Sequence, residues 1–177
     1  MARLNKRALS TAEIHNIILK SLGDAVTNYS DVFKKPMVID ICKPSLRKFR
    51  IYAFNCGNPP GGRPIDEYKI VLNLGQQYGE EGNFDYSGGC LALVIGYVEH
   101  IDVFVLWDAN KHTNFAYNKN MQVKAKTILK ALAYPISIQH RDTINGDETI
   151  IATSRAHLLE AMNLRVELLF KDLIGEN

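Results

Sequence analysis

Apolar residues recur at helical spacing near the start of the chain, where Ile14, Ile17, Ile18, Leu22 and Val26 share one stripe. Ser10-Thr11-Ala12-Glu13 precedes them as a capping-box pattern, in which hydroxyl and carboxylate can each accept from the other residue's backbone N–H. A helix is predicted from Ser10 to Val26. Pro36 and Pro44 then interrupt the chain, and the β-branched run Met37 to Ile41 between them reads as a short strand. From Lys48 the period drops to two. Phe49, Ile51 and Ala53 alternate with Lys48, Arg50, Tyr52 and Phe54, as in a strand with one face on a core. A second strand is predicted from about Glu67 to Leu74. The intervening stretch from Asn55 to Pro64 is dominated by Gly and Pro and reads as an arm-like loop.

A loose, acidic, Gly-rich segment from Gln76 to Gly89 leads into two apolar runs, Cys90 to Tyr97 and Ile101 to Trp107. These read as buried strands joined by a short turn around Glu99 and His100. Met121 to Ala133 reads as a helix capped by Asn120 and ended by Pro135. Ile136 to His140 and Glu148 to Ala152 flank the turn signal Asn145-Gly146-Asp147, which predicts a hairpin. The chain closes with a helix from about Arg155, capped by Ser154, with Leu158, Leu159, Met162, Val166, Leu169 and Leu173 on its apolar side. Hairpins replace regular strand-helix-strand repeats. The pattern therefore implies an α+β protein, a mainly antiparallel barrel-like sheet flanked by helices.

A length of 177 residues and 46% hydrophobic content suit one core. A single domain is expected, with 1–34 as an amino-terminal helical accessory, 47–153 as the barrel core and 154–177 as the closing helix. Cys42, Cys56 and Cys90 are scattered and form no Cys-x-x-Cys pair, which suggests neither disulfides nor zinc and fits a reduced, cytoplasmic chain. No run approaches the ~18 apolar residues of a membrane span.

The net charge is only +2, so bulk charge does not argue for nucleic acid, but its distribution does. Between Asp40 and Asp66 stand Lys43, Arg47, Lys48, Arg50 and Arg63 with no acid. Between Asp108 and Asp142 stand Lys111, Lys119, Lys124, Lys126, Lys130 and Arg141, again with none. If the two windows share a face, it carries the positive potential that phosphates require. The second window also holds His112, Thr113, Asn114, Tyr117, Asn118, Asn120 and Gln122. Amides can pair with adenine, and Arg and Lys with guanine. The plainer alternatives are solvated lysines on helix faces, a polar turn, and Arg63 paired with Asp66 or Glu67.

Other chemistry is weakly represented. The histidines His15, His100, His112, His140 and His157 show no His-x-x-x-His spacing, and neither a Gly-x-Ser-x-Gly elbow nor a phosphate-binding P-loop occurs. Glu67-Tyr68-Lys69 is the Glu-x-Lys half of a metal-dependent nuclease motif, without the preceding Pro-Asp. A nuclease using Glu67 and Lys69 is thus one alternative, the plainer reading of that pair being an exposed strand face paired across the sheet, and a protein-interaction module docking through the terminal helix is another. No cofactor is expected.

Four strings, Arg63 to Ile70, Asp102 to Asp108, Phe115 to Lys124 and Glu148 to Ala152, resemble the DNA-binding pseudobarrel domains of restriction endonucleases and of methylase-associated genes. The likeness spans about Arg47 to Met162, and an LlaJI-type amino-terminal domain is a close candidate. These are related to the EcoRII effector domain and to a plant transcription-factor pseudobarrel. The resemblance implies sequence-specific binding of double-stranded DNA by two arms in the major groove, with a nuclease or motor domain as partner and the chain as a piece of a longer enzyme. It would place the arms at about Asn55 to Arg63 and Asp108 to Gln122, with Ser10 to Val26 outside the minimal barrel. The residues expected to contact DNA are Arg47, Lys48, Arg50, Asn55, Asn58, Arg63, Lys111, His112, Asn114, Tyr117, Asn118, Lys119, Gln122, Lys124 and Arg141. Trp107, Phe115 and Tyr117 are the aromatic rings available for a methylated base.

Overall fold

The capping box closes as its residue pattern requires. The Glu13 carboxylate accepts from the Ser10 N–H at 2.6 Å and the Ser10 hydroxyl from the Glu13 N–H at 3.2 Å, at the head of α1 (Thr11–Leu22). The fold is taken from a computed structural model that describes residues 7–58 and 64–175. Helix α1 ends earlier than its apolar stripe predicts. Gly23 adopts φ +53°, a backbone region open to glycine, and a single 3-10 turn follows. Val26, expected as the last helical residue, instead opens strand β1 (Val26–Tyr29).

The remaining elements are β2 (Met37–Ile41), β3 (Arg47–Asn55), β4 (Glu67–Leu72), β5 (Glu81–Gly82), β6 (Leu91–Val98), β7 (Val103–Trp107), β8 (Phe115–Ala116), β9 (Lys119–Lys124), α2 (Ala125–Lys130), β10 (Ile136–Thr143), β11 (Gly146–Ser154) and α3 (Leu158–Ile174). Seven strands form one sheet in the order β1-β2-β3-β6-β7-β11-β10, in which only the β3–β6 pair is parallel. This is the expected α+β arrangement with a mainly antiparallel sheet, and among the described residues no continuous ladder closes it into a barrel. Strands β4 and β9 form a separate antiparallel ribbon, and β5 pairs with β8.

The sheet is buried on both faces. Helices α1 and α3 bring Ile14, Ile18, Leu158, Met162 and Val166 onto Phe49, Ile51, Ala53, Leu93, Ile95, Phe104 and Leu106. On the other face the ribbon residues Ile70, Leu72, Met121 and Val123, with Ile128 of α2, cover Tyr52, Phe54, Val94, Val105, Trp107 and Ile150. Tyr52 and Phe54 were expected to face out, because alternation cannot reveal a second layer above a strand. Each such side chain contributes roughly 1.5–3 kcal/mol on burial. The ribbon crosses the sheet closely at Gly96, where a Cβ would lie 2.9 Å from both Ile70 and Trp107. No side chain fits there.

The predicted helix from Met121 to Ala133 is a strand over its first part. Met121 and Val123 alternate inward with period two while β4 offers a partner residue for residue, so pairing wins and only Ala125–Lys130 stays helical. Asn120 consequently lies within a strand and caps no helix. Ser154 makes no side-chain cap either, since a 3-10 turn at Arg155–His157 precedes α3. The β10–β11 hairpin forms as predicted, closing at the Thr143–Gly146 pair with Gly146 at φ +97°.

Candidate nucleic-acid interface

Register decides what the ribbon shows to solvent. Glu67 pairs with Lys124, Lys69 with Gln122 and Val71 with Asn120, and directly opposed residues share a face. Because Ile70, Leu72, Met121 and Val123 are buried, those three pairs form the outer face. Lys69 Nζ donates to Asn120 Oδ1 at 2.8 Å, and Lys124 Nζ lies 2.8 Å from Glu67 and 3.6 Å from Asp66. Just beyond the strand ends, Asn73 Nδ2 donates to Asn118 Oδ1 at 3.0 Å. A row of amides and ammonium groups thus runs along the ribbon.

The two expected arms join this ribbon at opposite ends. The first runs into Glu67 at the start of β4, and the second into Lys119, which pairs with Leu72 at its end. Those ends are about 17 Å apart along a six-residue strand. In the first arm the Asn55 amide brackets the backbone of Leu9, accepting at 3.0 Å and donating at 2.7 Å. Gly57 exchanges two backbone bonds with Lys69, and Asn58 donates to the Ile65 carbonyl. Arg63, expected to contact DNA, lies outside the described residues. In the second arm Asn114 and Asn118 take left-handed backbone conformations, which Asn tolerates better than most residues. Asn114 forms a reciprocal pair with Asn83 at 2.8 and 2.9 Å, and Tyr117 meets the edge of the exposed Tyr78 ring.

The acid-free windows are not acid-free in space. Lys48 lies 3.8 Å from Asp40, Arg50 2.8 Å from Asp85, and Lys111 3.4 Å from Asp172. Arg47 donates to Asn163 at 2.8 Å on the helix side of the sheet. Folding brings Asp85 and Asp172 from distant segments and sets Asp40 directly across from Lys48, so the sequence windows overstate the free positive charge.

One expected contact, His112, lies within the protein, and a second, Arg141, is half-buried against the same carboxylate. His112 is 3% exposed, and its Nε2 sits 2.9 Å from Oε1 of Glu148, which is itself 0% exposed. The Glu148 carboxylate also accepts from the Asp108 N–H at 3.1 Å and from Arg141 at 2.6 and 2.7 Å. Burial pushes the Glu148 carboxyl up, but His112 and Arg141 together hold it below the ordinary carboxylate range. Next to this group the buried Arg165 donates to the Thr149 carbonyl and lies 3.6 Å from Asp108. Through Glu148 of β11, His112 and the Asp108 N–H tie the second arm to the β10–β11 hairpin, and Arg141 of β10 donates to the Gln122 carbonyl at 3.3 Å. Lys119 is half-buried nearby, its ammonium pushed down by burial and by Arg141.

Of the expected set, the outer ribbon face brings together Gln122 and Lys124, with Asn118 at its end, and Tyr117 and Asn114 continue along the second arm. Arg47, Lys48, Arg50 and Lys111 lie elsewhere. Lys69 belongs to the face, as the plainer reading of Glu67 and Lys69 expects, whereas Asn120 stands on it instead of capping a helix. The alternation of Lys119 to Lys124 is the signal that finds Asn120. Glu67 is engaged by Lys124, and among the described residues no three His, Cys, Asp or Glu side chains gather as a metal-binding group. The three cysteines are free, and burial pushes the Cys56 thiol up to about 12.

Fold and face define an α+β domain that turns a narrow, amide-rich ribbon to solvent between two loop arms. The chain belongs to the Methylase-associated X1 family, whose model matches residues 47–162, from the start of β3 into α3. That membership points to a role in a restriction-modification system. No curated protein and no solved structure matches the chain. Among the described residues no helix is long and apolar enough to cross a membrane.

Proposed function

We propose that the chain binds double-stranded DNA and reads its sequence as the target-recognition part of a restriction-modification endonuclease. The outer face of the β4–β9 ribbon lies in the major groove, and the two arms hold the flanking backbone. The observation that carries this reading is the row Lys124, Gln122, Lys69, Asn120 and Asn118 along one exposed ribbon face. The major groove, about 12 Å wide, admits a two-stranded ribbon, with Asn and Gln suited to its base edges and the Lys ammonium groups to the adjoining phosphates. Asn114 and Tyr117 extend the contact along the second arm, and Arg63 adds a forked donor in the first. Cleavage or translocation belongs to a nuclease or motor partner.

The test is equilibrium binding of fluorescent duplexes. Lys69→Ala should weaken duplexes of every sequence by a similar factor and reduce the salt slope by about 0.9. Unchanged affinity and slope in this variant would remove the ribbon from the interface.

A further inference from the structure

A cleft of about 610 Å³ opens at the root of the first arm, between α1, the loop before β2 and the ribbon. Among the described residues its polar lining consists of Thr11, Lys35, Asn55, Asn58 and Lys69, with no carboxylate. Lys35 Nζ stands 3.8 Å over the Phe54 ring, and Lys69 Nζ is bonded to a neutral amide. Among the described residues neither ammonium has a carboxylate partner. Two cations in one concavity, partly withdrawn from water and without counter-charge, raise the local potential and favour entry of an anion.

We propose that this cleft is a phosphate-binding site for the DNA backbone, and that Lys35, from the segment preceding the family-matched region, completes it. The inference rests on the DNA-binding reading above and assigns one phosphate contact within it. Burial holds the Lys35 ammonium down to about 8, so the charged side chain opposes folding in the free protein. The titratable groups facing it are His15 of α1, which is buried, and Lys69 of β4. A bound phosphate supplies the missing opposite charge, which makes Lys35 a residue kept for a ligand rather than for stability.

The experiment titrates a labelled duplex with wild type, Lys35→Met and Lys35→Arg across a salt series, and melts each protein alone. Lys35→Met should raise the melting temperature of the free protein, weaken all duplexes alike and lower the salt slope by about 0.9, whereas Lys35→Arg should retain the slope. Wild-type affinity should fall as pH rises through about 8, where the free ammonium loses its proton, and Lys35→Arg should not show that fall. If wild type binds duplex and Lys35→Met matches it in affinity and slope, the cleft inference fails while the ribbon reading stands. If wild type binds no duplex, both fail. Stabilisation of wild type by pyrophosphate, absent in Lys35→Met, with an unaltered duplex slope would assign the cleft to free phosphate and overturn the backbone site.

Discussion

Glu148→Ala should lower the unfolding free energy by about 3–5 kcal/mol, because it removes one partner from a buried charge group and strands the others. Glu148 has no exposed surface, and its two oxygens serve His112, Arg141 and the Asp108 N–H. Without the carboxylate, Arg141 loses its counter-charge, His112 loses its buried hydrogen-bond partner, and the second arm loses its tie to the β10–β11 hairpin. Glu148→Gln keeps the shape and one acceptor, and should fall between wild type and Glu148→Ala. Acid should act in the same direction. The folded Glu148 carboxyl lies below its ordinary 4.5, so its stabilisation is present above that pH and is lost as pH falls through the folded value. His15 acts in an earlier window. Burial holds it below its ordinary 6.5, so the unfolded chain takes up the proton first and stability declines as pH drops under 6.5. Urea melts between about pH 8 and pH 3 should therefore show two descents, with only the lower one made shallower in Glu148→Gln, since Asp102 and Asp85 are also held below the ordinary carboxylate range. A Glu148→Ala protein within about 0.5 kcal/mol of wild type would show that the buried group does not hold the arm.

The double variant Asn120→Ala, Gln122→Ala should lose sequence preference while keeping its affinity for bulk DNA. Both amides stand on the outer ribbon face, where truncation removes little packing and should change stability by about 0.5 kcal/mol or less. A well-formed amide-to-base pair discriminates by about 1–3 kcal/mol, so loss of both should flatten preference by roughly tenfold or more. Phosphate contacts remain, and the salt slope should hold. The measurement is repeated selection from a random duplex pool. Wild type should enrich one motif and the variant none, whereas equal enrichment of the same motif would place base reading elsewhere.

What could be read in the sequence was whatever depends on local period. The capping box at Ser10, the strand centred on Ile51, the apolar strand pair at Leu93 and Val105, and the β10–β11 hairpin all follow from spacing and turn residues. What depends on a second layer was hidden. Tyr52 and Phe54 are buried because the ribbon covers them, and nothing within β3 announces the ribbon. The six residues of β9 sit directly before a helical stretch, so apolar spacing continued into α2 masked their period of two. The site was divided in the same way. Its residue types were visible, as in Gln122 and Asn118, but charge windows counted along the chain could not see Asp85 reach Arg50 or Asp172 reach Lys111. Lys35 escaped because its significance lies in standing over the Phe54 ring with no carboxylate partner among the described residues, which only the folded chain displays.

The interface proposed here is narrow, and most cations outside it are matched by acids. Binding should accordingly involve few phosphates, unlike that of a protein coated with positive charge. The most direct measurement is an equilibrium titration of the wild-type chain with a random-sequence duplex at about 50 and about 200 mM salt. With about four phosphates neutralised, the affinity should fall on the order of a hundredfold between the two. Absent binding, or an affinity that does not change with salt, would contradict DNA binding through this face.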